Sequence, residues 1–123
     1  MPFRPTVEPG FLRLEFHGTV TRDDLDQALE AVETAEQTAQ TAPHRLSDFT
    51  NATLGELPAA HVVQLAERRK ATTLNNPIKS AIVAIRPVNV GFARMFQMLN
   101  DHPQITIRIF QTEIEARAWL EEA

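Results

Sequence analysis

The longest unbroken apolar run in the chain, Ala81–Ile85, has only five residues, and the stretches on either side of it decide what it can be. It is the centre of KSAIVAIR, Lys79–Arg86, and an apolar centre with no polar side marks a strand buried on both faces. Upstream, Phe11–His17 sets Leu12, Leu14 and Phe16 against Arg13, Glu15 and His17. Downstream, QITIRIF sets Ile105, Ile107 and Ile109 against Thr106 and Arg108. That period of two gives each of these strands one dry face and one wet face. Five residues also fall far short of the roughly 18 that a membrane span requires.

Helical spacing fills the intervals. Thr21 can cap a helix whose first turn holds Asp23 and Asp24. Its inner stripe is Leu25, Ala28, Leu29, Val32 and Ala35, with Glu30, Glu33 and Glu36 turned away. A second helix runs from Pro58 to about Thr73 on Val62, Leu65, Ala66 and the stem of Arg69. A third covers Val90–Asn100. Thr112 to Glu115 has the capping-box spacing that opens a fourth. Glu8-Pro9-Gly10 supplies turn geometry for a hairpin between Phe3–Val7 and Phe11–His17. The order β-β-α-β-α-β-α-β-α implies an α/β sheet of four or five mostly parallel strands joined by right-handed crossovers. Because the second and last strands alternate, the four helices are expected mainly on one face. The other face, carrying Arg13, Glu15, His17, Thr106 and Arg108, would meet solvent or a second copy of the chain in a homodimer.

Composition narrows the function classes. A chain of 123 residues with 43% apolar and 23% charged residues reads as one globular domain, 1–123. The opening MPFRPTVEPG lacks the apolar centre of a secretory leader, so a cytoplasmic location is expected. The absence of cysteine rules out disulfides, thiolate metal sites and a cysteine nucleophile. Sixteen acids against twelve bases give a net charge of −4, which offers nucleic acid no general attraction. His17, His44, His61 and His102 occur singly, without the spacing of a metal site. Neither serine, Ser47 or Ser80, lies in a nucleophile elbow. No catalytic residue and no cofactor is expected.

Two stretches could carry function. HRLSDFTNAT, 44–53, reads as a strand ending in a loop of Asp48, Thr50, Asn51 and Thr53. The carboxyl ends of parallel strands are where open α/β sheets bind ligands. Arg86 at the end of the central strand can reach that edge and, with exposed helix amides, hold a small anionic ligand such as a carboxylate or phosphate. The bland alternative is that Asp and Asn side chains satisfy backbone amides in a turn. In the third helix, Phe92, Met95 and Phe96 share a face with Leu99. Such a stripe serves a core, or it walls a pocket for a small apolar ligand whose polar head would meet Arg86 or Thr50.

The phrases FLRLEFHGTVTRDDL, RLSDFTNAT, SAIVAI with VGFARMFQML, and IRIFQTEIEARAWL span nearly the whole chain. Together they resemble the SpoIIAA-like group of the STAS superfamily, small α/β domains typified by anti-sigma-factor antagonists. The resemblance implies a domain that binds rather than transforms, a regulatory or protein-interaction module. In the antagonists a kinase modifies a Ser or Thr just beyond an acid at a strand end. The matching positions here are Asp48 and Thr50. Phe49 and Asn51 depart from the small residues and glycine of that pattern, and the following helix starts late, near Pro58. Ligand binding by the wider fold implies an alternative, a small apolar-ligand or lipid carrier or sensor.

Overall fold

The computed structural model describes residues 3–122. The chain runs β1 (Phe3–Glu8), β2 (Phe11–Thr19), α1 (Arg22–Thr38), β3 (His44–Thr53), α2 (Ala59–Lys70), β4 (Ile78–Val83), α3 (Pro87–Leu99), β5 (Ile105–Phe110) and α4 (Glu113–Glu121). The sheet keeps chain order, β1-β2-β3-β4-β5. Its first pair is antiparallel and the rest are parallel. Gly10, at φ +85°, supplies the left-handed residue that the Pro9-Gly10 turn needs.

Chain order in the sheet explains where the helices go. Each crossover advances one strand in the same direction, so connections of a single hand leave α1, α2 and α3 on one face. Leu12, Leu14 and Phe16 of β2 meet Ala28 and Val32 of α1 there, while Ile82, Ile105 and Ile107 meet Ala93 of α3. α4 follows the last strand and makes no crossover. It folds onto the opposite face, where Ala116, Trp119 and Leu120 cover Leu46, Ala81 and Val83. Ala81–Ala84 of the central apolar run are therefore covered between the two faces, whereas Ile85, past the end of β4, is 56% exposed.

The face expected to lie open is consequently only partly open. Arg13 is held under α4: its Nε and Nη2 donate to Glu113 Oε1 at 3.0 and 2.6 Å, and its Nη1 donates to Glu15 Oε2 at 3.1 Å. Arg117 of α4 forks onto Glu8 at 2.9 and 3.0 Å, tying the helix to the first hairpin. His17, Thr106 and Arg108 remain exposed.

β3 is longer than the sequence implied. Asp48–Thr53 is not a loop but a continuation of the strand along β2, beyond the point where β4 ends opposite Asp48. Glu15 pairs with Asp48 and His17 with Asn51, so Phe16 stands against two residues, Phe49 and Thr50. This bulge adds one residue to β3 and resets its alternation. As a result Phe49 and Ala52, three apart, both turn toward the helical core.

Candidate functional site

The residues singled out on β3 separate into two groups. Asp48 and Thr50 lie on the α4 side. Asp48 Oδ1 accepts both the Thr50 amide, at 3.0 Å, and the Thr50 hydroxyl, at 2.6 Å. Its other oxygen accepts from Arg13 Nη2 at 3.3 Å. Asn51 is exposed opposite His17. Thr53 instead joins Arg86, whose Nη1 donates to Thr53 Oγ1 at 3.0 Å and to the Ala52 carbonyl at 3.1 Å. Arg86 thus reaches the far end of β3 and not Asp48. Each of these polar contacts closes on the protein's own backbone or on a neighbouring side chain.

A different place has the shape of a site. Between the sheet and α1–α3 lies a cavity of about 120 Å³. Leu29 and Val32 of α1, Val62 of α2, and Phe92, Ala93 and Phe96 of α3 belong to its apolar wall on the helical side. Phe92 and Phe96 are half-buried, as are Leu25 and Leu29 across from them. Phe92 and Phe96 therefore stand where the sequence placed an apolar wall. Met95 does not line the cavity: the inward stripe of α3 runs Asn89, Ala93, Phe96, and Met95 falls beside it. Arg86 and Thr50 are not part of the lining either, and this corrects the expectation that they would meet a ligand's polar head.

The polar side chains at the cavity are Arg45 and Ser47 of β3, Ser80 of β4, Arg69 of α2 and Asn89 of α3. Alternation puts Arg45 and Ser47 on the helical face, whereas Leu46 faces α4. Arg69 and Glu36 form a fork-to-fork pair at 2.9 and 2.7 Å, with both residues buried. Arg45, only 7% exposed, donates through Nη2 to Ser80 Oγ at 3.0 Å. Its Nη1 has no hydrogen-bond partner among the described residues and stands 3.9 Å from Glu36 Oε2. Burial, and then the cation of Arg69, push the Arg45 pKa down to about 9 against the pull of Glu36. Two cations and one anion leave this buried cluster with an unmatched positive charge. Such a charge is costly away from water unless something pairs with it.

Sequence reasoning missed Arg45 and turned Glu36 outward. A usable signal existed in both cases. Parallel strands are usually covered by helices on both faces, and a covered RLS cannot hold Leu46 inside without also burying Arg45 and Ser47. In α1, Glu36 is four residues after Val32, on the same face. A buried cation on β3 then gives that carboxylate a reason to point inward.

No family model and no curated protein matches the sequence. Among solved structures, the chain is similar to an uncharacterized protein of the DUF3478 family from Shewanella loihica PV-4, which has a SpoIIAA-like fold. The TM-score is 0.62 at 16% identity, covering 96% of this chain and 91% of that one. The fold is SpoIIAA-like, as the sequence phrases implied. Among the described residues, no helix is long and apolar enough to cross a membrane.

Proposed function

We propose that this chain is a non-enzymatic, cytoplasmic binding module, a sensor or carrier that takes a small apolar molecule between its sheet and helices α1–α3. The observation that carries this reading is the apolar-walled cavity of about 120 Å³ with half-buried phenylalanines at its edge. A void of about 150 Å³ lined by aliphatic side chains is large enough to hold benzene. The volume here favours a compact guest and leaves a long lipid chain no room without rearrangement. Regulation through a phosphorylated Thr50 has less support, because that hydroxyl is already donated to Asp48 within a bulged strand.

The test is a titration of methyl-labelled protein with benzene, followed by NMR. Resonances of Leu29, Val32, Val62 and Ile82 are expected to shift together, and Ala93→Leu, which fills the cavity from α3, is expected to abolish the response. Unchanged spectra at saturating benzene would overturn the reading.

A further inference from the structure

Resting on that cavity as a binding site, we infer that its natural occupant is a small monocarboxylate, seated with its anionic head against Arg45 and its compact apolar tail against Val32, Phe92 and Phe96. Three observations converge on this class. Arg45 lines the cavity and is more than nine-tenths buried, and its guanidinium makes a single hydrogen bond among the described residues, from Nη2 to Ser80, while Nη1 stands 3.9 Å from Glu36 Oε2 without one. The charges around it do not balance: Glu36, behind the cavity wall, is committed to Arg69 through both oxygens, and no acid lines the cavity among the described residues. The remaining wall is almost wholly apolar.

Each feature excludes an alternative. A neutral hydrocarbon would fill the cavity but leave the Arg45 cation unpaired. A phosphate or a dicarboxylate would bring more negative charge than one unmatched cation offsets, and its remaining charge would face apolar side chains. A single carboxylate matches the excess charge, and a guanidinium edge presents N–H groups in the geometry a carboxylate accepts. Ser47, two residues along the same face of β3, adds a hydroxyl at the cavity wall. The volume limits the tail to about the size of a benzene ring or a short alkyl chain.

The experiment compares matched pairs on the wild-type chain and on Arg45→Met: benzoate against nitrobenzene, and hexanoate against hexanamide. Affinities come from calorimetry, and the Arg45 guanidinium ¹⁵N signals are followed in the wild type. The expected result is a preference for each carboxylate of tenfold or more, a guanidinium shift with benzoate and not with nitrobenzene, and loss of the preference in Arg45→Met. Replacing one member of a buried ionic cluster by an apolar residue of similar length is often tolerated. Should that variant not fold, the wild-type selectivity and the guanidinium shift decide the matter. Neutral probes that bind as tightly as the acids would overturn the carboxylate class and leave the cavity as a binding site. Absence of binding by all four probes would overturn both.

Discussion

Asn89 of α3 and the carbonyl of Ala52 in β3 are 3.0 Å apart, and the same Asn89 amide nitrogen also donates to the Phe49 carbonyl at 3.2 Å. Both carbonyls lie in the part of β3 that has outrun β4, so no neighbouring strand on that side can satisfy them. A buried side-chain amide substitutes for the missing ladder.

Replacing that amide should therefore cost more than its exposed neighbour's contact. Asn89→Ala leaves two carbonyls without this donor, and a loss of about 1–3 kcal/mol is expected. Asn89→Asp should be worse, since a carboxylate cannot donate to a carbonyl. Arg86→Ala removes a bond to the same Ala52 oxygen but from an exposed side chain, and should stay within about 0.5 kcal/mol. Urea unfolding midpoints of the three variants give the ranking directly. Equal effects would mean that solvent reaches the bulge.

The buried charges make an asymmetric prediction. Glu36→Gln leaves Arg45 and Arg69 facing each other without an anion, and about 3–5 kcal/mol should be lost. Arg69→Met leaves Glu36 with Arg45, already 3.9 Å away and able to become its partner, so the loss should be markedly smaller. Denaturation of the two single variants tests this. A larger loss for Arg69→Met would mean that Glu36 and Arg45 cannot close up.

Much of this architecture is legible in the sequence, because alternation and helical spacing are local. KSAIVAIR announces a covered centre, and Thr21 does cap α1, accepting from the Asp24 amide at 3.2 Å. What stays hidden depends on contacts distant in the chain. The bulge at Phe49–Thr50 exists only relative to Phe16 of β2, and Glu36 turns inward only because Arg45 and Arg69 await it. The choice of face for α4 is of the same kind: its apolar residues are plain in the sequence, but Leu46, Ala81 and Val83 belong to two other strands. The polar loop drew attention because polar residues near strand ends often serve ligands, yet here they bond to one another. The buried arginine lay unread inside an ordinary strand.

His44 gives the fold a predictable acid response. Its Nδ1 accepts the Lys79 amide at 2.8 Å, which requires that nitrogen to be unprotonated. Burial, and then the nearby Lys79 cation, lower its pKa from the ordinary 6.5. A depressed folded-state value means that this contribution is complete above 6.5 and is lost as pH falls through the folded value. His44→Asn keeps an acceptor and removes the titration. Between about pH 7.5 and 5, the wild type should lose more stability than His44→Asn, as read from paired urea titrations. Parallel pH profiles would remove His44 as the source.

The far edge of the sheet carries a further device. The amides of Ile78, at the start of β4, and Ala84, just past its end, reach the carbonyls of Gln104 and Phe110 at 2.8 and 3.0 Å, so the even-numbered groups along β5 face β4. By the geometry of a parallel ladder, the odd-numbered carbonyls face outward. Two of these are covered by α3 and its C-cap: Gln97 Nε2 donates to the Ile107 carbonyl and Asn100 Nδ2, from the cap, to the Ile105 carbonyl, each at 2.9 Å. An exposed edge strand invites pairing with another chain, and covering its acceptors discourages that. The Gln97→Ala/Asn100→Ala double variant should therefore self-associate more than the wild type at equal concentration, with a higher weight-average mass in sedimentation equilibrium. Pro5, which cannot donate to a ladder, lies in the opposite edge strand β1, so the new contact is expected through β5. Adding Ile107→Pro, a residue whose outward amide would otherwise pair, should reverse the association. Unchanged mass in the double variant would show that the two amides hold α3 to the sheet without guarding its edge.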